Sequence, residues 1–171
     1  MKTDKILATR THKVIYQVGD KVWKVFDTNY PKTDVLNEAL NQARVEETGL
    51  PIPKVHGVTV TEDGNWAIIS DYIEGETLAE KMAKEPENVE KYMKEFVEIQ
   101  LEIHDKTAPL LNKMKDKMSG RINSLKAVNA TTRYELSTRL ESMPKHKKVL
   151  HGDFNPTNVV IGQDGKYYIL D

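Results

Sequence analysis

The segment HGDFNPTN, residues 151–158, places an aspartate and an asparagine between two apolar runs. Pro156 lies between them and disfavours both regular helix and regular strand, so the segment is predicted to form a loop. The flanking runs VL and VVI predict buried strands that hold this loop in place. Asp153 can accept a proton from an attacking hydroxyl, and the side-chain carbonyl of Asn158 is a hard oxygen donor that suits Mg²⁺.

The last residue of the sequence, Asp171, follows another apolar run, YYIL. If VVI and YYIL pair through a turn at Asp164-Gly165, Asp171 returns alongside Asn158. The pattern therefore indicates a base, Asp153, beside two metal ligands, Asn158 and Asp171. The alternative is that Asp and Asn serve here as ordinary turn formers, which is common in proline-containing loops.

The first third of the chain predicts strands with one inserted helix. KVIYQVGDKVWKVF alternates around Gly19-Asp20 as a hairpin does, and LPIPKVHGVTVTEDGNWAIISDYI predicts two further strands. Between them, TDVLNEALNQARVEETG has apolar residues at helical spacing, with Thr33 or Asp34 available as a cap. We expect a small antiparallel sheet of five strands with a helix against it.

The second part of the chain predicts mostly helix. The segment ENVEKYMKEFVEIQLEIHDK is an amphipathic helix. Its apolar stripe comprises Val89, Tyr92, Met93, Phe96, Val97, Gln100 and Ile103. The segment 110–144 is polar and helical. The predicted fold class is therefore α+β with two lobes, a β-rich N-terminal lobe over residues 1–73 and a helical lobe over residues 74–171.

Composition limits the possible partners. A chain of 171 residues suits one domain or two small lobes that share a cleft. A net charge of −1 gives no reason to expect nucleic acid or a membrane as a partner. The chain has no cysteine, which excludes disulfides and thiolate metal sites. Since it shows neither a secretory leader nor a long apolar span, we expect a cytoplasmic protein.

The stretch HGDFNPTNVVI followed by YYILD resembles the catalytic core of the aminoglycoside phosphotransferase and choline kinase superfamily, which shares the protein-kinase-like fold. Gly152 stands where protein kinases carry arginine, and this favours the small-molecule branch. The resemblance implies transfer of the γ-phosphoryl of ATP or GTP, with Mg²⁺, to a hydroxyl group. The acceptor stays open between an aminoglycoside, a choline-like compound and a sugar.

The same resemblance implies further site residues. Lys24 in KVWKVF matches the strand lysine that holds the α- and β-phosphates, and Glu38 matches the helix glutamate that pairs with it. Glu46 and Glu47, nearer the helix end, are weaker candidates for that partner. WAIISDYIEGETL resembles the hinge between lobes. The backbone expected to meet the adenine edge belongs to Ser70, Asp71, Tyr72 and Ile73. His151 is expected to support the loop through hydrogen bonds.

Two departures from the family pattern keep a second interpretation open. The phosphate-covering segment LATRTHKVIY has no glycine, so the amides of residues 9–12 would have to approach the phosphates without one. The sequence also stops at Asp171, where related enzymes continue with helices, which implies a member truncated at its carboxyl end. The alternative function is a non-catalytic nucleotide-binding or interaction module. A third possibility, a protein kinase, is disfavoured because residues 151–153 are HGD rather than HRD.

Overall fold

The computed structural model describes residues 5–170. Its first part is a five-stranded sheet in the order β1-β2-β3-β5-β4, in which every neighbouring pair is antiparallel. The strands are β1 (Lys5–Arg10), β2 (Lys13–Val18), β3 (Lys21–Phe26), β4 (Val55–Val60) and β5 (Trp66–Asp71). The predicted small antiparallel sheet is confirmed.

Helix α1 (Lys32–Glu46) packs on one face of this sheet. Its buried residues Val35 and Ala39 contact Phe26 and Ile68, which form a small separate core. The predicted cap was wrong, because the helix begins directly after Pro31 and has no side-chain cap. Proline fixes a backbone angle compatible with a helix start, and Asp34 in the first turn complements the helix dipole.

The second part of the chain combines helices with a small sheet. The helices are α2 (Leu78–Lys84), α3 (Val89–Asp105), α4 (Met114–Ser124) and α5 (Ala130–Ser142). The sheet, in the order β6-β7-β8, comprises β6 (Gly75–Thr77), β7 (Val159–Gly162) and β8 (Tyr167–Ile169). Thr77 and Glu80 form a capping box at the start of α2, in which the side chain of each residue accepts a hydrogen bond from the backbone amide of the other.

Helix α3 buries a narrower stripe than the sequence predicted. Tyr92, Ile99 and Ile103 are buried in the main core, whereas Met93 and Val97 are 43% and 46% exposed. At 3.6 residues per turn, Met93 and Val97 lie roughly 100° and 140° around the helix from Tyr92. The predicted stripe merged two adjacent sides of the helix, of which the core takes only one.

The main core also takes residues from the first part of the chain. Leu50, which follows α1, is buried in the same cluster as Leu78, Val159 and Ile169. The amide of Ile169 donates a 2.8 Å hydrogen bond to the carbonyl of Pro51. Contacts therefore cross the predicted lobe boundary near residue 73, and that boundary remains a prediction.

Across residues 5–170, none of the helices is both long enough and apolar enough to cross a membrane. The longest, α3, has 17 residues. Charged residues such as Glu90, Lys94 and Glu98 interrupt it along its length. Three of its residues, Tyr92, Ile99 and Ile103, are buried in the main core.

Candidate active site

Lys24 lies in the middle of β3 and extends from the sheet face that meets α1. The strand register places Ile15 and Ile68 directly opposite it on the neighbouring strands. Paired residues of antiparallel strands share a face, so the apolar stem of Lys24 crosses a surface built by these two isoleucines. Only 13% of its side chain is exposed.

Glu38 on α1 pairs with this lysine. Glu38 lies on the turn of α1 that buries Val35 and Ala39 against the sheet. The Lys24 Nζ atom is 2.8 Å from Glu38 Oε1. The sequence expected this pair, and the structure brings the two atoms together. Glu46 is engaged elsewhere, because its carboxylate accepts a 2.7 Å hydrogen bond from the amide of Val55.

A second lysine that the sequence did not single out reaches the same carboxylate. Lys13 Nζ lies 3.3 Å from Glu38 Oε1. Lys13 pairs with Phe26 across the β2–β3 ladder, and Phe26 shares a strand face with Lys24. The hairpin register between β2 and β3 is the signal that could have identified Lys13.

The turn between β1 and β2 takes the position of the predicted phosphate-covering loop. Thr9 and Arg10 belong to the paired strand, and the turn itself is Thr11 and His12. Its tip is tied to the end of β3, since His12 Nδ1 lies 3.0 Å from Asp27 Oδ2 and the Asp27 amide donates to the His12 carbonyl at 2.9 Å. The His12 hydrogen bond is the main cause that lowers the pKa of Asp27. The approach of the turn's amides to phosphates remains a prediction.

His151 connects the loop of residues 151–158 to the end of β8. Its Nε2 atom donates to the Leu170 carbonyl at 2.9 Å, and its Nδ1 atom accepts from the Asp153 amide at 3.3 Å. This pair of bonds assigns the Nε2–H as the donor and Nδ1 as the acceptor. Gly152 between them has a φ of +90°, a conformation that glycine adopts without steric cost.

Asp153 and Asn158 face each other across the loop. The Asn158 amide group donates to the Asp153 carbonyl at 2.9 Å, and its nitrogen lies 3.4 Å from Asp153 Oδ2. Asn155 also donates to the Asp153 carbonyl, at 3.0 Å. The backbone of Asp153 is thus held by two side chains, while its carboxylate stays exposed to solvent.

Phe154 anchors the loop to α3, and the sequence did not indicate its role. Its ring stacks on Phe96 with centroids 4.3 Å apart and an interplanar angle of 4°. Phe154 also lies 5.6 Å from the His151 ring. The aromatic residue directly after Asp153 was the available signal, because a bulky ring in an exposed loop needs a packing partner.

The predicted hairpin after the loop is present. Val159 pairs with Ile169 across β7 and β8, and the Leu170 amide donates to the Asn158 carbonyl at 2.8 Å. Leu170, the residue after β8, therefore lies beside Asn158. Asp171, the second predicted metal ligand, lies outside the described residues.

The donor chemistry beside the loop suits magnesium. The Asn158 amide nitrogen is the group that bonds Asp153, and its Oδ1 atom accepts no hydrogen bond from residues 5–170. Within that range, no group of three or more histidine, aspartate or glutamate side chains could hold a metal ion. Magnesium usually takes one or two protein oxygens and completes its shell with phosphate and water, so one oxygen from Asn158 fits that requirement.

The side chain of Asp71, in the predicted hinge, accepts hydrogen bonds from two basic side chains and one backbone amide. Its Oδ1 atom accepts from His56 Nε2 at 2.6 Å and from Lys21 Nζ at 3.0 Å, and Oδ2 accepts from the Lys54 amide at 3.1 Å. Burial raises the pKa of Asp71, but these hydrogen bonds outweigh it and lower the pKa below the usual value. Both oxygens of the Asp71 carboxylate therefore accept hydrogen bonds within the protein.

The hinge backbone is partly engaged as well. The Asp71 amide donates to the Lys54 carbonyl at 3.0 Å, and the Tyr72 amide donates to the Asp20 carbonyl at 3.1 Å. Ser70 lies inside β5 and pairs with strands on both sides. The amide of Ile73 has no hydrogen bond to any residue in the described part of the chain.

The sequence profile of the phosphotransferase enzyme family matches residues 8–171. The chain belongs to this family. A comparison with curated proteins gave no match. The family match covers most of the sheet, the Lys24–Glu38 pair and the loop that carries Asp153.

Solved structures similar to this phosphotransferase family member confirm its kinase-like fold. A thermostable mutant of aminoglycoside phosphotransferase APH(4)-Ia, in ternary complex with AMP-PNP and hygromycin B, has a TM-score of 0.63 at 17% identity. The match covers 98% of this chain and 65% of that one. Wild-type aminoglycoside 2'-phosphotransferase-IIIa, in its GDP complex, has a TM-score of 0.57 at 18% identity. That match covers 100% of this chain and 67% of the other.

A choline/ethanolamine kinase family protein from Mesorhizobium loti is similar as well. Its TM-score is 0.57 at 18% identity, and the match covers 98% of this chain and 56% of that one. At such identities the likeness establishes the fold. The chain spans about 65% of the APH(4)-Ia chain.

Proposed function

We propose that the protein transfers the γ-phosphoryl group of ATP or GTP to a hydroxyl of a small molecule, with Mg²⁺ as cofactor. The observation that carries this proposal is the Lys24–Glu38 ion pair at 2.8 Å, which presents a positioned ammonium next to the sheet. Membership of the phosphotransferase enzyme family supports the same reaction class.

Asp153 is the proposed catalytic base. The acceptor hydroxyl oxygen forms a bond to the γ-phosphorus, while the bond from that phosphorus to the β–γ bridging oxygen breaks and the nucleoside diphosphate leaves. The hydroxyl proton passes to the exposed carboxylate of Asp153. Two side-chain amides hold the Asp153 backbone, so the base is oriented before the acceptor arrives.

Asn158, through Oδ1, and Asp171, the residue after Leu170, are the proposed magnesium ligands. Bound magnesium supplies charge neutralisation on the transferring phosphoryl oxygens. The 2.8 Å bond from the Leu170 amide to the Asn158 carbonyl supports this pairing, because it holds the residue that precedes Asp171 beside Asn158.

The hinge is the proposed site of base recognition. Among Ser70, Asp71, Tyr72 and Ile73, the amide of Ile73 is the donor that the described structure leaves available. One backbone amide with a neighbouring carbonyl can read the edge of adenine. The Asp71 side chain contributes by fixing the hinge, since it binds Lys21 and His56.

The acceptor is proposed to bind in a cavity beside the loop that carries Asp153. A cavity of about 270 Å³ adjoins the loop and is lined by Gln100, His104, Met114 and Leu150 together with loop residues. Aminoglycosides, choline-like compounds and sugars all remain candidate acceptors.

The test is nucleotide hydrolysis and transfer by the wild-type chain. Turnover of Mg²⁺-ATP and Mg²⁺-GTP is measured with and without a panel of aminoglycosides, amino alcohols and sugars. The expected result is nucleoside diphosphate release that depends on one acceptor class. An absence of nucleotide binding in calorimetry would contradict the proposal.

A second candidate is a nucleotide-binding module that transfers nothing. The observation that favours it is the β1–β2 turn, which has no glycine and whose His12 lies 3.0 Å from Asp27, so its amides are restricted in positioning phosphates for transfer. Thermal stabilisation by Mg²⁺-ATP without turnover on any acceptor supports this candidate. Transfer to any acceptor excludes it.

A further inference from the structure

We propose that Lys13 is a second phosphate-positioning residue, which acts with Lys24 on the polyphosphate of the nucleotide. The inference rests on the proposed function and adds a residue that the sequence resemblance does not assign. Both ammonium groups converge on one oxygen, Glu38 Oε1, with Lys24 at 2.8 Å and Lys13 at 3.3 Å.

Water screens the two ammonium groups only partly. The side chains of Lys13 and Lys24 are 23% and 13% exposed. A hydrogen bond from an ammonium group to an anionic oxygen is stronger than a bond between neutral groups. A polyphosphate supplies such oxygens, so it can bind both lysines.

The ammonium group of Lys13 also has N–H donors that can bind phosphate oxygens. A lysine ammonium carries three N–H donors. Within the described residues, Lys13 directs one of them to Glu38, at the longer of the two distances, and its Nζ atom lies 5.8 Å from the centre of the Phe26 ring. The remaining donors can reach phosphate oxygens without breaking the Lys24–Glu38 pair.

The β1–β2 turn explains why such a residue is useful here. The turn contains no glycine, and the His12–Asp27 bond at 3.0 Å ties its tip to the end of β3. A tied turn with side chains restricts close approach of its amides to phosphates. Lys13 is the first residue after this turn, so its side chain supplies charge at the place where amides are restricted.

A purely structural role for Lys13 would be to hold Glu38 in place. The two roles differ in their dependence on phosphate. A phosphate contact matters for ATP and not for adenosine, whereas a support of the fold affects both. Arginine keeps the charge and should restore a phosphate contact.

The test compares the wild-type chain with Lys13→Met, Lys13→Arg and the control Lys94→Met, in which an exposed α3 lysine is removed. Calorimetry measures Kd for Mg²⁺-ATP and for adenosine, and thermal melting checks the fold. Loss of one charge-assisted contact predicts about tenfold weaker ATP binding by Lys13→Met. Adenosine binding should change less than twofold, and Lys13→Arg and Lys94→Met should match the wild type.

Two outcomes overturn the role of Lys13 while leaving the proposed function intact. One is wild-type affinity of Lys13→Met for ATP, and the other is an equal loss for ATP and adenosine. If the wild-type chain binds no ATP at all, the proposed function and the role of Lys13 both fail.

Discussion

The Nε2 atom of His151 donates a 2.9 Å hydrogen bond to the carbonyl of Leu170, at the end of the last described strand. The same ring accepts from the Asp153 amide. One side chain therefore links the proposed base to the segment that leads into the proposed metal ligand Asp171. We expect this link to matter for catalysis because it positions Asp153.

Replacing His151 with alanine should lower kcat by roughly 10- to 30-fold, because up to two hydrogen bonds of about 1 kcal/mol each no longer hold the loop. The KM for nucleotide should change little, since the described partners of His151, which are Leu170, Asp153 and Phe154, lie outside the hinge. Steady-state kinetics measure both values, and His146→Ala, at an exposed position, is the control. Unchanged kcat would show that the link is dispensable.

Replacing Asp153 with asparagine should lower kcat by at least about a hundredfold, because the amide cannot take the acceptor proton. The asparagine has nearly the same shape, so nucleotide Kd should stay close to wild type. Single-turnover assays and calorimetry provide the two values. Asp63→Asn, in an exposed turn, is the matched control. Full turnover by Asp153→Asn would exclude this residue as the base.

The Lys24–Glu38 pair predicts an order of effects. Lys24→Met removes the ammonium and should lower kcat/KM for nucleotide by roughly 10- to 100-fold. Glu38→Gln leaves an amide oxygen that can still accept from Lys24 at this site, so its loss should be several times smaller. Kinetics with Mg²⁺-ATP test the order. Equal activity of all three chains contradicts the proposed role of the pair.

Gly75 is required by packing between β6 and β7. A Cβ atom at this position would lie 2.1 Å from the Ile161 carbonyl oxygen. Gly75→Ala should therefore lower the free energy of unfolding by about 1–3 kcal/mol through forced backbone movement. Gly57→Ala in β4 is the control, because an added Cβ there meets no atom within 4 Å. Urea unfolding measures both, and equal stability of the two variants would contradict the steric explanation.

The lowered pKa of Asp71 predicts an acid dependence of stability. A carboxyl group with a depressed pKa in the folded state stabilises above its unfolded pKa of about 4. That contribution is lost as pH falls through the lower folded value. Urea unfolding between pH 7 and pH 3 should show a smaller acid loss for Asp71→Asn than for the wild type. Asp63→Asn should retain the wild-type slope, and an unchanged slope in Asp71→Asn would refute the assignment.

The sequence by itself determined the local chemistry. The order of His151, Asp153 and Asn158 before an apolar run identified the loop, because a backbone segment this short fixes which side chains can meet. Alternation around the first hairpin and helical spacing in α1 predicted the strand that carries Lys24 and the helix that carries Glu38, and the family resemblance selected these two residues. These patterns are local, so they are readable without coordinates.

Tertiary structure decided which distant side chains share one partner. Lys13 reaches Glu38 only through the β2–β3 register and the packing of α1 on the sheet. Helix α3 has apolar residues on two adjacent sides, and the core selected the side that carries Tyr92 rather than Met93. The Phe96–Phe154 stack likewise depends on where the loop meets α3. Register and packing are set by contacts between elements far apart in the chain, which local periodicity does not specify.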